Sequence, residues 1–373
     1  MKHADKAWTK SSAESGTGTA IVRPASWSDR ILAITSTMRA LRDASLAVLL
    51  AFIVTGFFIL ISGHNPLEAF WQMARGAFGS EDALSFALNK SAPYILGAAG
   101  IALCFRARLI NIGAEGQIAV GGICATWVAL HTAQLAGPIP IIASLAAACI
   151  GGALWALLAA VLRIARGVSE VISTLMLNFV GLLMVGEVLN GSMGEPGAGF
   201  PQSPTIADNA LLPMLLPDSD LHIGILLALF ASAVIAFALW RTPFGFGVRV
   251  LGASDQAARY AGISTTRVVL SVMAIAGAVA GMAGGVEVLG VQSRLIEGFS
   301  VGFGFKAVAV ALLGGLDPLA VIPAGLFFGF VEAGALAMQR GMGIPSSLVD
   351  VIQGLTMAFV LCARSLDRRP KRV

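Results

Sequence analysis

The chain has 373 residues, 57% of them hydrophobic and only 12% charged, with a formal net charge of +4 and a mean hydropathy of +0.82. A soluble domain carries about 25% charged residues, so that class is excluded, and a β-barrel is disfavoured because alternating strands give a far weaker apolar signal. Forty-three glycines in such a background point to closely packed transmembrane helices, so the expected fold is an all-α polytopic membrane protein.

Residues 1–43 are polar and hold seven Lys and Arg. No apolar run follows the first basic residues, so this is read as a cytoplasmic tail, mostly disordered, rather than a cleaved signal peptide. The part after Pro24 can form an interfacial helix. Ten apolar segments follow, near 44–63, 91–105, 110–131, 139–162, 170–190, 221–240, 268–290, 302–315, 319–338 and 347–363, and the transmembrane domain is drawn over 44–363. A span ordinarily needs about 20 residues. The segments at 91–105 and 302–315 are shorter, so they are expected to be broken, tilted or re-entrant, and the span count is eight to ten. With both termini cytoplasmic, inner connections hold 20 Lys and Arg and outer ones 4, the bias expected of cytoplasmic loops. A basic tail closes the chain at 364–373.

Two long outer connections are predicted. Residues 64–90 include Gly79-Ser-Glu-Asp82, and 191–220 contain five prolines and no Lys or Arg. The second can dock an external partner or serve as a structured connector. The inner connection 241–267 contains Ser254, a helix cap, and Gly262, a helix stop, which bracket about two turns from Asp255 to Ala261. Gln256, Arg259 and Tyr260 on that helix can plug a groove on another protein, or the helix can lie on the lipid surface. Gly277, Gly281 and Gly285 form a flat ridge for close helix packing, and Gly325 and Gly329 repeat it.

One polar stretch resists a lipid-facing reading. Residues 104–122 carry Arg106, Arg108, Asn111, Glu115 and Gln117, interleaved with glycines, and only protein or a water-filled path can solvate them. Glu170, Thr174 and Asn178 follow at i, i+4 and i+8 and share a helix face. Glu187, Glu287 and Glu332 are read as nearer span ends, within reach of interfacial water. Lys306 is read near the outer end, where it can snorkel. Arg108-Leu-Ile recurs as Arg294-Leu-Ile, and Gly113-Ala-Glu115 aligns with Gly304-Phe-Lys306. Such a repeat, inverted across the membrane, would enclose a translocation path. Phe105, Phe179, Phe299, Phe303 and Phe305 can stack on a flat base or sugar face.

Several chemistries are absent. Cys104, Cys124, Cys149 and Cys362 lie in or beside apolar runs without metal spacing, and the four histidines are scattered, so no metal is expected. There is no G-x-x-x-x-G-K-[S/T] loop, and the acids are too dispersed for a catalytic pair. The chain is therefore expected not to be an enzyme and to bind no cofactor of its own. A secondary transporter using a buried carboxylate such as Glu115 and a membrane scaffold both stay open at this level.

Four blocks, in order, carry a resemblance: Phe105-Arg-Ala-Arg-Leu-Ile-Asn-Ile-Gly-Ala-Glu-Gly-Gln117, Glu170-Val-Ile-Ser-Thr-Leu-Met-Leu-Asn178, Leu251-Gly-Ala-Ser-Asp-Gln-Ala-Ala-Arg-Tyr-Ala-Gly-Ile263 and Gly302-Phe-Gly-Phe-Lys-Ala-Val-Ala-Val-Ala-Leu-Leu-Gly314. Together they resemble the inner-membrane permeases of ABC importers of the simple-sugar and nucleoside group. The Asn-Ile-Gly-Ala-Glu-Gly-Gln string and the proline-rich outer loop favour the nucleoside-type branch, with the simple-sugar branch as the alternative. The chain departs from the group at Arg108, where Gly is common, and at Lys306, where an acid is frequent. The resemblance implies a bacterial inner-membrane location, separate ATPase subunits that consume the ATP, a second permease subunit (identical or related) and an extracytoplasmic substrate-binding protein, with the bilayer as the only other partner and no nucleic acid. It also implies a substrate path of Asn111, Glu115, Gln117, Thr174, Asn178, Phe303, Phe305 and Lys306. ATPase coupling would fall to Gly252, Asp255, Gln256, Ala258, Arg259, Tyr260 and Gly262.

Overall fold

The computed structural model describes residues 46, 48–216, 219–345 and 347–367. The N-terminal tail expected at 1–43 and residues 368–373 of the C-terminal tail lie outside them. The regular elements of the described residues are all helical, with two isolated bridges and no strand. Among the described residues, five helices are long and apolar enough to cross a membrane, or six if one bent pair is a single span. The chain is a polytopic α-helical membrane protein.

The bent pair is α1 (Val48–Ile61) and α2 (Pro66–Phe78), which turn by 119°. Gly63 takes φ +83, Pro66 opens α2, and Asn65 accepts a hydrogen bond from the Leu67 N–H at 3.0 Å, so the turn has a stop, a cap and a starter. The outer loop expected at 64–90 is therefore mostly helix. Its second half is the start of α3 (Glu81–Arg106), capped by Ser80. The short segment expected at 91–105 is the rest of that helix. Asn89 and Lys90 make the first half look like a loop in sequence. Their side chains are satisfied by the Asp220 carbonyl and the Glu287 carboxylate, at 2.6 and 2.8 Å.

Residues 107–113 break the chain before α4 (Ala114–Thr132), so the segment drawn from 110 starts later than expected. Then come α5 (Ile139–Arg166) and α6 (Glu170–Asn190), the connection 191–223, α7 (Gly224–Arg241), α8 (Pro243–Ala253), α9 (Asp255–Tyr260) and α10 (Thr265–Glu287). A π-helical turn, Val288–Gln292, extends α10, residues 293–302 are irregular, and α11 (Phe303–Leu313), α12 (Val321–Met342) and α13 (Ser347–Asp367) complete the chain. α13 runs into the stretch expected as a basic tail.

Two units share one plan. In each, a long helix (α3, or α10 with its π-helical turn) is followed within two residues by a non-glycine residue with φ +55, Arg108 or Ser293. An irregular stretch follows, then a helix that starts inside the bundle, α4 or α11. α4 packs on α10 and α11 packs on α3; α5 packs on α10 and α12 packs on α3. The glycine ridge makes these contacts close. A Cβ on Gly281 would lie 2.9 Å from the Gly152 Cα, nearer than any real packing contact. Gly329 likewise faces the Ser91 backbone, with 2.6 Å to its N. Backbone-to-backbone approach of this kind replaces the hydrophobic drive that helices lack in lipid.

α3 and α4 are not among the strongly apolar helices, and burial explains why. Every Ala, Ile, Leu and Tyr side chain from Ala92 to Leu103 is at most 1% exposed. A helix shielded by other helices need not match lipid, whereas α5, α6 and α7 turn Ile150, Leu183 and Phe230 outward at 59%, 74% and 69%.

Candidate functional site

The polar stretch is resolved as a joint between α4, α6 and α11. At its centre, Asn111 forms a local turn by accepting the Gly113 N–H at 2.9 Å. Its side chain also exchanges hydrogen bonds with Gln117 at 3.2 and 3.4 Å. The predicted face of α6 meets the joint: the Asn178 Oδ1 accepts the Gly116 N–H at 2.9 Å, and its Nδ2 donates to the Ile112 carbonyl at 2.8 Å. Thr174 donates to the Glu170 carbonyl at 2.7 Å and accepts from the Ile112 N–H at 3.4 Å. Asn178 lies part-way along α6, so α4 begins inside the bundle rather than at its edge. These bonds satisfy backbone groups that a helix start leaves open.

Glu115 connects the two units. Its Oε2 accepts from the Gly304 N–H at 2.6 Å and the Phe305 N–H at 3.3 Å, and its Oε1 accepts the Gly302 N–H. The carboxylate thus caps the start of α11, where no side chain of α11 itself provides a cap, and it benefits from the positive end of that helix. Both half-helices therefore begin at one level, with Glu115 between them. Gly304 permits this, since a Cβ there would lie 2.5 Å from the Glu115 Cα.

Asn111, Glu115, Gln117, Thr174 and Asn178 are each 1% exposed, and the structure brings all five together. Phe303 is 7% exposed and packs edge-on against Tyr94 at 5.5 Å, while Phe305 is 45% exposed. Lys306 does not snorkel to an end. It pairs with Glu332 at 2.7 Å and Asp350 at 3.0 Å, and Glu332 sits in the middle of α12 rather than near a span end, because Lys306 supplies its counter-charge there. Gln353 donates to the same Glu332 oxygen at 3.4 Å. Glu287 is likewise withdrawn from water. It is 0% exposed, receives Lys90 at 2.8 Å and takes a hydrogen bond from Gln292 at 3.2 Å. Lys90, Glu332, Asp350 and Gln353 were missed as partners by sequence reading. The signal was present in their polar side chains within apolar helices, but the pairings span up to 197 residues of chain.

The predicted coupling residues form a second cluster. Ser254 caps α9 by accepting the Ala257 N–H at 3.2 Å, and Gly262 ends it with φ +73. Ala258 is buried and fixes the helix to the bundle; Gly252 packs on the Arg106 carbonyl at the end of α3. Asp255, Gln256, Arg259 and Tyr260 are exposed. Arg259 and Asp255 pair at 3.0 Å, and Tyr260 is 91% exposed, which is unusual for an aromatic side chain without a covering partner.

Residues 83–361 match the family model described as branched-chain amino acid transport system / permease component. The chain is 35% identical to the glucose ABC transporter permease protein TsgB13 of Haloferax volcanii, across 87% of each. It is 32% identical to the guanosine ABC transporter permease protein NupP of Bacillus subtilis, across 84% of this chain and 91% of that one. With the nucleoside ABC transporter permease protein NupB of Lactococcus lactis subsp. cremoris, identity is 30% across 84% of this chain and 89% of that one. Membership among such subunits implies a separate ATPase and a substrate-binding protein, since the permease itself catalyses no reaction. The matched region takes in the joint, the exposed α9 and the paired charges of α11 to α13, and the chain belongs to this family of ABC transporter permease components.

Proposed function

We propose that the chain is the permease subunit of an ABC importer that carries a nucleoside or a related small polar solute across a bacterial inner membrane. The match over residues 83–361 carries this reading. The guanosine and nucleoside relatives favour a nucleoside; the glucose relative, at 35% identity, keeps a simple sugar as the second reading. The ion-coupled alternative loses support from the geometry of Glu115, whose oxygens already face three backbone N–H groups.

In this reading both termini are cytoplasmic, about ten segments enter the membrane, and α9 faces the cytoplasm within the coupling loop 241–267. The domain spans 44–363, with 191–220 outside and a basic tail from 364. No cofactor binds this chain; the ATP is used by the ATPase. Gly252, Asp255, Gln256, Ala258, Arg259, Tyr260 and Gly262 form the coupling element, with Arg259 and Tyr260 seated in the ATPase. A second permease subunit completes the pore. The solute passes along the face of α11 and α13. Phe305 at 45% exposure, and the charges of Lys306, Glu332 and Asp350 at 22%, 24% and 61%, support that face, because lipid cannot solvate them and water or protein must. Asn111, Glu115, Gln117, Thr174, Asn178 and Phe303 shape the path from behind by fixing where α4 and α11 begin.

Arg259→Glu tests the coupling element. It places a second carboxylate beside Asp255 on an exposed helix, so the fold persists and co-purification of the ATPase drops by about tenfold or more. Recovery of the ATPase at the level of the unaltered chain would refute the proposed contact.

A further inference from the structure

The end of the bundle that carries α9 holds a cavity of about 490 Å³, walled in part by the coupling residues Asp255 and Arg259, to which the transport reading gives no ligand. Arg108, Arg163, Asp255, Arg259, Thr265 and Thr266 line it, with aliphatic side chains behind them. They come from the turn after α3, the last turn of α5, α9 and the first turn of α10. Three guanidinium groups thus meet one carboxylate on the wall. Arg163 gives one N–H to Glu170 at 2.5 Å and Arg259 one to Asp255 at 3.0 Å, and each planar fork has further donors to offer.

Arg108 is the most telling member. Its backbone holds φ +55, a left-handed conformation that glycine takes freely and a long side chain takes at a cost. Its exposed guanidinium makes no hydrogen bond or ion pair among the described residues, so no such bond among them repays that cost. α10 adds donors of another kind. Its cap residue, Ser264, gives its first turn no side-chain hydrogen bond, so the leading N–H groups stand open beside the two threonine hydroxyls. Cationic forks, hydroxyls and an uncapped helix start all suit an oxyanion of high charge, as a phosphate is.

The location indicates the source of that phosphate. The cavity lies where α5 ends and α10 begins, at one end of two helices long and apolar enough to cross a membrane. The adjoining surface of α5 is apolar, with Val161, Leu162 and Ile164 exposed at 51%, 42% and 41%, and offers a track for acyl chains below a basic headgroup pocket. We propose that this cavity binds the headgroup phosphate of an anionic phospholipid. The lipid bridges Arg163 at the end of α5 to Arg108 in the turn that leads to the buried joint, beside α9, and so sets how firmly motion of α9 is passed to α4. Binding stands on the cavity alone; the regulatory consequence rests on the permease reading.

The full chain, purified without partners, is titrated with phosphatidylglycerol and with phosphatidylcholine and followed by native mass spectrometry. Phosphatidylglycerol binds about tenfold more tightly. Arg108→Gly, which suits the left-handed backbone and preserves the fold, removes most of that preference, and Arg108→Lys keeps part of it. Equal affinity for the two lipids, or a preference untouched by Arg108→Gly, would overturn the assignment. Inorganic phosphate binding as tightly as phosphatidylglycerol would move the source into solution and overturn the lipid. An Arg108→Gly defect confined to ATPase assembly, with lipid affinity unchanged, would give the cavity to a carboxylate of the ATPase and overturn it as well. Lipid preference that persists in a chain found not to transport supports the site and counts against the transport reading alone.

Discussion

Glu115 is the residue on which the two units meet. A carboxylate inside a membrane protein is costly unless its oxygens are paired, and here three backbone N–H groups at the start of α11 pair them. The sequence made Glu115 conspicuous, and the i, i+4, i+8 spacing put Thr174 and Asn178 on one face. What that face touches was not legible, because Asn178 and Gly116 are 62 residues apart and nothing local joins them. Glu115→Gln keeps the shape but removes the charge and turns one acceptor into a donor facing donors. It is expected to cost about 2 kcal/mol, read as a lower thermal midpoint of the detergent-solubilised protein. An unchanged midpoint would mean that the cap contributes nothing to stability.

At the scale of elements, apolar length located most helices and glycine spacing located their tight contacts. It failed where a helix is shielded by protein. α3 carries Glu81, Asp82, Asn89 and Lys90 in its first half, so hydropathy alone divides it into a loop and a short span. The Lys90–Glu287 pair that makes this half tolerable is a tertiary fact. The irregular stretches 107–113 and 293–302 were visible only as breaks in apolar runs, and the left-handed Arg108 and Ser293 were not visible at all, since neither residue type advertises φ +55. The ridge of α10 offers a direct check. Gly281→Leu forces α10 away from Gly152, where a Cβ alone would lie 2.9 Å from the Cα. A loss of about 1–3 kcal/mol or failure to fold is expected, measured by thermal unfolding and by yield from membranes. A variant as stable as the parent would show that α5 and α10 do not approach so closely.

For the whole molecule, the pairing of α3–α4–α5 with α10–α11–α12 gives a core in which two helices begin at a shared interior level around one carboxylate. α9 projects from one end and the connection 191–223 closes the other. Gly252 rests on the end of α3, so in the proposed coupling, motion delivered to α9 is passed to that level through this contact and the turn that follows. This architecture suits a subunit that moves in response to a partner rather than one that performs chemistry. The direct measurement is uptake of a labelled nucleoside into proteoliposomes holding the permease with its ATPase and substrate-binding protein. Uptake that requires ATP and stops when the ATPase is omitted is the predicted result; uptake by the permease alone, driven by an ion gradient and indifferent to ATP, would contradict it.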